Sequence, residues 1–224
     1  MSIMNYEILD IIGEGQSGIV YRAMDLKNKR EVALKKIPNR ASQEIGSYLL
    51  MENIDYIPKL YDHFYETDSL GHENTYIVQQ LIHGTELGVT WDENRNWDFM
   101  WMTLYHALAA IKTLHDHGYY HGDLHANNFL WTGETVYIID FEKSGSITDN
   151  HIECEDYLAL LDPPFFNKRY QHRYLRYDNI NHGRERYKLL TEFATLTQCE
   201  TFIGDLSYID RILQEYDAID RIVY

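Results

Sequence analysis

Four short stretches hold residue types suited to phosphate, metal and hydroxyl chemistry. Residues 121–130 read HGDLHANNFL, with Asp123 and Asn128 five positions apart. A carboxylate placed like Asp123 can orient a substrate hydroxyl or accept its proton. Asn128 offers an amide oxygen, a hard ligand for a divalent cation, and Asp140, ending the apolar run Tyr137-Ile138-Ile139, offers a second. Residues 13–20 read GEGQSGIV, and Gly13, Gly15 and Gly18 let a backbone approach phosphate oxygens with no Cβ in the way. Val32-Ala33-Leu34-Lys35 places an ammonium on a strand, within reach of α- and β-phosphates. Glu44 or Glu52 can hold that ammonium, while alternation turns Lys36 to the opposite sheet face.

Each stretch also has a plain alternative: a glycine hairpin, a solvated strand Lys, an exposed helix carboxylate, a turn Asp. His117, His121 and His125 raise the question of zinc, but the oxygen ligands around them and the lack of an H-E-x-x-H string weigh against it. A dinucleotide site needs a helix directly after the glycines, whereas Ile19-Val20-Tyr21 reads as strand.

The elements that must position these groups fall into two halves. Tyr6 to Ile12, Ile19 to Ala23, Val32 to Ile37, Pro58 to Phe64 and Thr75 to Leu81 read as strands, with a helix over Ala41 to Met51. Gly84 to Asn96 reads as a connector. Trp97 to His117 then has helical spacing, with Asp98 as a candidate cap and Gly118 as its stop. Residues 119–141 alternate short extended runs with a polar loop, and helical patterning resumes from Glu155, broken by Pro163-Pro164. The expected fold class is α+β: a small β-rich lobe over residues 1–83 and a mainly helical, shortened lobe over 84–224, forming one domain.

In this order and spacing the strings resemble the protein-kinase superfamily, over roughly residues 6–162. The family carries a Gly-rich loop, a strand Lys, a helix Glu, an H-x-D-x-x-x-x-N loop and an Asp-Phe-Gly. Here they stand as GEGQSGIV, VALK with Lys35, QEI with Glu44, HGDLHANN with Asp123 and Asn128, and IDFE with Asp140. The resemblance implies ATP and Mg²⁺. Lys35, held by Glu44, would orient phosphates, Asp140 and Asn128 would bind the metal, and Asp123 would orient the acceptor. It makes TYIVQQLIHG a hinge, with Gln79 as gatekeeper, Gln80 to Ile82 as the backbone facing adenine, and Val20 and Ala33 flanking the purine.

The departures concern regulation and substrate. Gly122 replaces an Arg that in many members reads a phosphorylated activation loop. Glu142 replaces the Gly after Asp-Phe, which resembles the antibiotic-, sugar- and lipopolysaccharide-directed branches. Asp156 resembles the buried helix Asp that braces the catalytic loop, yet it follows Asp140 with no Ala-Pro-Glu string between them. The resemblance therefore implies a Ser/Thr protein kinase first, a small-molecule or glycan kinase second, and a nucleotide- or partner-binding scaffold third. Such compact chains resemble those of large DNA viruses and bacterial effectors, as well as some small-molecule kinases.

Composition bounds the remainder. The chain has 224 residues, 45% of them hydrophobic, and 20 Lys and Arg against 35 Asp and Glu give a net charge of −15. Overall that charge repels nucleic-acid phosphates, so no nucleic-acid partner is expected; protein or small hydroxyl-bearing substrates are. Residues 168–188 carry a local positive excess, which reads first as a solvated face pairing with the chain's own acids and second as a site for an acidic partner. Cys154 and Cys199 leave room for one disulfide but not for a disulfide framework. With no signal-like start and no membrane span, a cytoplasmic location is expected, in the host's cytoplasm for a viral or effector chain. The sequence leaves the oligomeric state open.

Overall fold

Strand-forming runs alternate apolar and polar residues through the first eighty positions, and they fold into one antiparallel sheet. A computed structural model describes residues 3–15, 17–39, 41–93, 97–148 and 156. The basic stretch 168–188, both cysteines, the Pro163-Pro164 break and the C-terminal tail lie outside the described residues.

The chain enters through β1 (Tyr6–Gly15), β2 (Gly18–Asp25) and β3 (Arg30–Pro38), crosses helix α1 (Ser42–Leu50), and returns through β4 (Leu60–Thr67) and β5 (Glu73–Gln80). The strand order is β1-β2-β3-β5-β4, which leaves β1 at an edge. Two register shifts interrupt its pairing with β2, between Ile8 and Asp10 and between Ile11 and Gly13. Alternation places Val32 and Leu34 on a face that packs with Ala23, Phe64, Tyr76 and Val78. There the Tyr6, Phe64 and Tyr76 rings stack, with centroids 5.7 and 4.9 Å apart. The opposite face carries Val20, Ala33, Lys35, Ile77 and Gln79, because β2 pairs Val20 with Lys35 while β5 pairs Ile77 with Lys35 and Gln79 with Ala33.

Beyond the sheet come β6 (Thr85–Glu86), α2 (Leu87–Glu93), α3 (Trp97–Asp116), β7 (Tyr119–Tyr120), β8 (Phe129–Trp131), β9 (Val136–Ile138) and β10 (Gly145–Ser146). The stretch expected to be a connector over 84–96 is thus partly regular. Leu87 and Trp91, one turn apart, are buried in the larger core, and the Trp91 indole donates to Thr103 Oγ1 at 2.7 Å. Burial of one apolar side decides for helix despite the polar look of the segment. Helix α3 begins at Trp97, so Asp98 lies inside its first turn instead of ahead of it. Gly118 follows its last turn with φ of +83° and donates its N–H to the His115 carbonyl, an arrangement glycine favours at a helix end.

The larger core joins Leu104, Leu108, Ile111 and Leu114 of α3 to Phe129, Ile138 and Phe141, and also takes Tyr48 and Met51 from the α1 segment. Helix α1 is therefore anchored below the sheet, on the elements that carry the polar loop. Among the described residues no helix is long and apolar enough to cross a membrane.

Candidate active site

The deep end of the cleft is a three-way junction. Lys35 Nζ lies 2.8 and 3.0 Å from the two Glu44 oxygens and 2.7 Å from Asp140 Oδ1. Lys35 and Glu44 are buried, whereas Glu52 is exposed, lying beyond the end of α1 at Leu50. The choice between the two carboxylates falls to Glu44. Burial works against the Lys35 charge, but Glu44 and Asp140 outweigh it and hold the ammonium above its ordinary range. Burial pushes the Glu44 carboxyl up, with Lys35 pulling the other way. Asp140 is also partly desolvated, yet Lys35 and the Ser17 hydroxyl, 3.1 Å from Oδ2, draw it below the usual carboxylate range.

Asp140 takes a left-handed backbone, φ +67°, which costs a non-glycine residue roughly 1–3 kcal/mol unless its surroundings fix it. They do so here. Lys35 and Ser17 hold its carboxylate, and the next residue, Phe141, is fully buried in the larger core. Tyr48 stands one turn after Glu44 on α1, fully buried, its ring edge-on to Phe141 at 5.3 Å.

The loop between β7 and β8 is assembled from below. Asp156 Oδ2 accepts the His121 N–H at 2.7 Å and lies 3.0 Å from His115 Nε2, and Oδ1 accepts the Gly122 N–H at 2.8 Å. The buried His121 ring accepts the Asp123 N–H on Nδ1 and donates from Nε2 to the Ile139 carbonyl. That pattern needs the neutral ring, and burial lowers its pKa accordingly. Asn128 donates its amide N–H to the Asp123 carbonyl at 2.8 Å, and its own carbonyl accepts from Ile139. The β8–β9 register, Phe129 opposite Ile138, therefore sets Asn128 beside Asp140. Asp123 sits at the mouth, its carboxylate 2.8 Å from Lys143 Nζ.

The three glycines differ in what they require. A Cβ on Gly18, whose φ is +124°, would come within 2.2 Å of the Lys36 carbonyl oxygen. One on Gly13 would make only ordinary contact with Val20, and one on Gly15 would meet nothing within 4 Å. Gln80 already donates its N–H to the Lys59 carbonyl, so its carbonyl is what it can offer a ligand; Ile82 follows in the unpaired stretch before β6.

Of the residues expected to act together, Lys35, Glu44 and Asp140 are in direct contact, while Asn128 bonds the Asp123 carbonyl with its side chain and Ile139, next to Asp140, with its backbone carbonyl. Sequence alone did not reveal Ser17, Tyr48 or Lys143. The three histidines stay apart, with His117 and His125 exposed, and among the described residues no three His, Cys, Asp or Glu side chains cluster to hold a metal. One carboxylate and one amide oxygen instead suit Mg²⁺, which completes its shell with water and phosphate oxygens.

Residues 6–159 match the family described as "Protein kinase domain", more than half of the chain. The chain belongs to the protein kinase family. It is 34% identical over 162 residues to serine/threonine-protein kinase ppk23 of Schizosaccharomyces pombe, covering 66% of this chain and 39% of that protein. To serine/threonine-protein kinase PLK4 of Xenopus laevis it is 26% identical over 174 residues, 71% of this chain and 18% of that one. Extracellular signal-regulated kinase 2 of Dictyostelium discoideum is 28% identical over 153 residues, 65% and 42% of the two chains. The chain spans less than half the length of each of these relatives. In this kinase domain the β-rich lobe is the five-stranded sheet described above.

Proposed function

We propose that this protein transfers the γ-phosphoryl group of Mg²⁺-bound ATP to a Ser or Thr hydroxyl of a protein. The observation that carries this is the junction of Lys35 with Glu44 and Asp140, which sets one cation and one metal-binding carboxylate side by side under a glycine hairpin. When bound, Mg²⁺-ATP supplies the phosphoryl group and the metal charge that offsets its oxygens. Asp140 and Asn128 would hold the metal, and Lys35, kept in place by Glu44, would bind α- and β-phosphate oxygens. The backbone of Gly13, Gly15 and Gly18 would close over the phosphates, with Val20 and Ala33 against the purine and the Gln80 carbonyl and Ile82 backbone at its edge. Asp123 orients the acceptor and takes its proton as the new oxygen–phosphorus bond forms and the bond to the departing ADP oxygen breaks. Such catalysis rests on positioning and charge neutralisation.

Support for a protein acceptor comes from the names of the relatives and from the intact hairpin, VALK strand and QEI helix. Glu142, in place of the glycine after Asp-Phe, favours a small-molecule or glycan acceptor as the second choice. Radiolabelled transfer from γ-labelled ATP to casein, an aminoglycoside and a sugar decides between them. Label is expected in casein, absent with Asp140→Ala and reduced about 10²–10⁴-fold with Asp123→Ala, which still binds Mg²⁺-ATP. Wild-type rates in both variants would remove the site from the cleft.

A further inference from the structure

A phosphoryl group in transfer spreads its charge over its outer oxygens, and donors aimed at those oxygens lower the barrier. The loop HGDLHANN carries no Lys or Arg, and Lys35 is committed to Glu44 and Asp140 at the deep end. Among the described residues the cation found beside Asp123 is Lys143, 2.8 Å from its Oδ2.

Its position is built. Residues 141–144 turn back on themselves, the Ser144 N–H and hydroxyl both bonding the Phe141 carbonyl, at 3.3 and 2.7 Å. Directly after the turn, β10 pairs with β7, tying Gly145 to Tyr120. Gly122 has φ of +78°, and a Cβ there would stand 2.7 Å from the Lys143 carbonyl oxygen and 3.1 Å from the Tyr120 ring. Gly122, where many kinases carry Arg, thus makes room for the turn that presents Lys143. The Lys143 and Asp123 side chains remain 58% and 43% exposed, so water weakens the pair and an arriving hydroxyl can displace the ammonium.

Resting on the phosphotransferase reading, we propose that Lys143 is a catalytic residue, its ammonium parked on Asp123 in the free protein and contacting the transferred phosphoryl group during reaction. Two measurements test it: steady-state transfer to casein, and calorimetric binding of Mg²⁺-ADP with and without aluminium fluoride, a mimic of the group in flight. Lys143→Met should lower kcat about 10²-fold with the KM for ATP nearly unchanged, and weaken the fluoroaluminate complex at least about tenfold while Mg²⁺-ADP binds as before. Lys143→Arg should recover most of both. Gly122→Ala, which displaces the turn, should lower kcat with Mg²⁺-ADP affinity retained. Wild-type kcat and fluoroaluminate affinity in Lys143→Met would overturn the proposal, as would equal weakening of ADP with and without fluoride. Failure of the wild-type protein to bind either nucleotide would reject the phosphotransferase reading, and this proposal with it.

Discussion

Among the described residues, two of the three lysine–carboxylate pairs at the site are equal in length and opposite in character. At the deep end Lys35 meets Glu44 at 2.8 Å with side chains 8% and 2% exposed; at the rim Lys143 meets Asp123 at 2.8 Å with both substantially in water. Coulomb attraction at one distance differs several-fold between such surroundings, and so does the cost of leaving a partner alone. The inner pair is fixed and behaves as architecture. The outer pair is exposed and screened by water, so it holds its partners far less firmly.

The largest test of this contrast is Lys35→Met, which removes the cation and leaves Glu44 and Asp140 facing each other. Transfer should fall about 10²–10³-fold, read as incorporation of label into casein. Glu44→Ala should cost roughly 3 kcal/mol of stability, near the low end for a broken buried pair because Asp140 still faces Lys35. Urea unfolding measures it, and a loss under about 0.5 kcal/mol, the size expected for a surface pair, would erase the distinction between inner and outer contacts. Tyr48→Leu is smaller: it removes the ring edge packed on Phe141 beside Asp140, for about 0.5–1.5 kcal/mol, with a modest fall in kcat. An unchanged urea midpoint would remove Tyr48 from the support of Asp140.

The smallest effect is one of pH. His121 joins the two ends as a neutral ring, its pKa lowered by burial. The unfolded chain protonates this histidine near its ordinary value, whereas the folded one resists. Its contribution to stability is therefore complete above about pH 6.5 and is lost as pH falls from there toward the lowered folded value, by at most about 1.4 kcal/mol per unit. Comparing urea midpoints at pH 7.5 and 5.5 should show a smaller acid loss in His121→Gln than in wild type. Equal losses would place the titrating group elsewhere.

How legible the site was depended on whether its parts announce themselves locally. Asp123, Asn128 and Asp140 stand in strings whose order is distinctive, and strand alternation alone was enough to put Lys35 and Lys36 on opposite faces. Glu44 and Glu52 could not be separated by spacing; the end of α1 at Leu50 separates them. The three glycines look equivalent as letters, but only Gly18 combines positive φ with a carbonyl pressed against its Cα. Lys143 sits in an ordinary polar run, Glu-Lys-Ser-Gly, and acquires its neighbour only because the following residues pair with β7. Ser17 and Tyr48 likewise owe their partners to the approach of Asp140 and Phe141 from more than ninety positions away. The connector over 84–96 misled because the apolar side of α2 rests on two residues, Leu87 and Trp91.

The interrupted pairing of β1 bears on the behaviour of the protein in concentrated solution. This outermost strand displays Ile8, Leu9, Ile11 and Ile12 with 40–58% of each exposed. A flat ribbon of that composition would invite a second molecule to add its own strand. The two irregularities bend and twist the ribbon, so that its free amides and carbonyls cannot line up with a straight neighbour, which protects the β1–β2 hairpin from self-association.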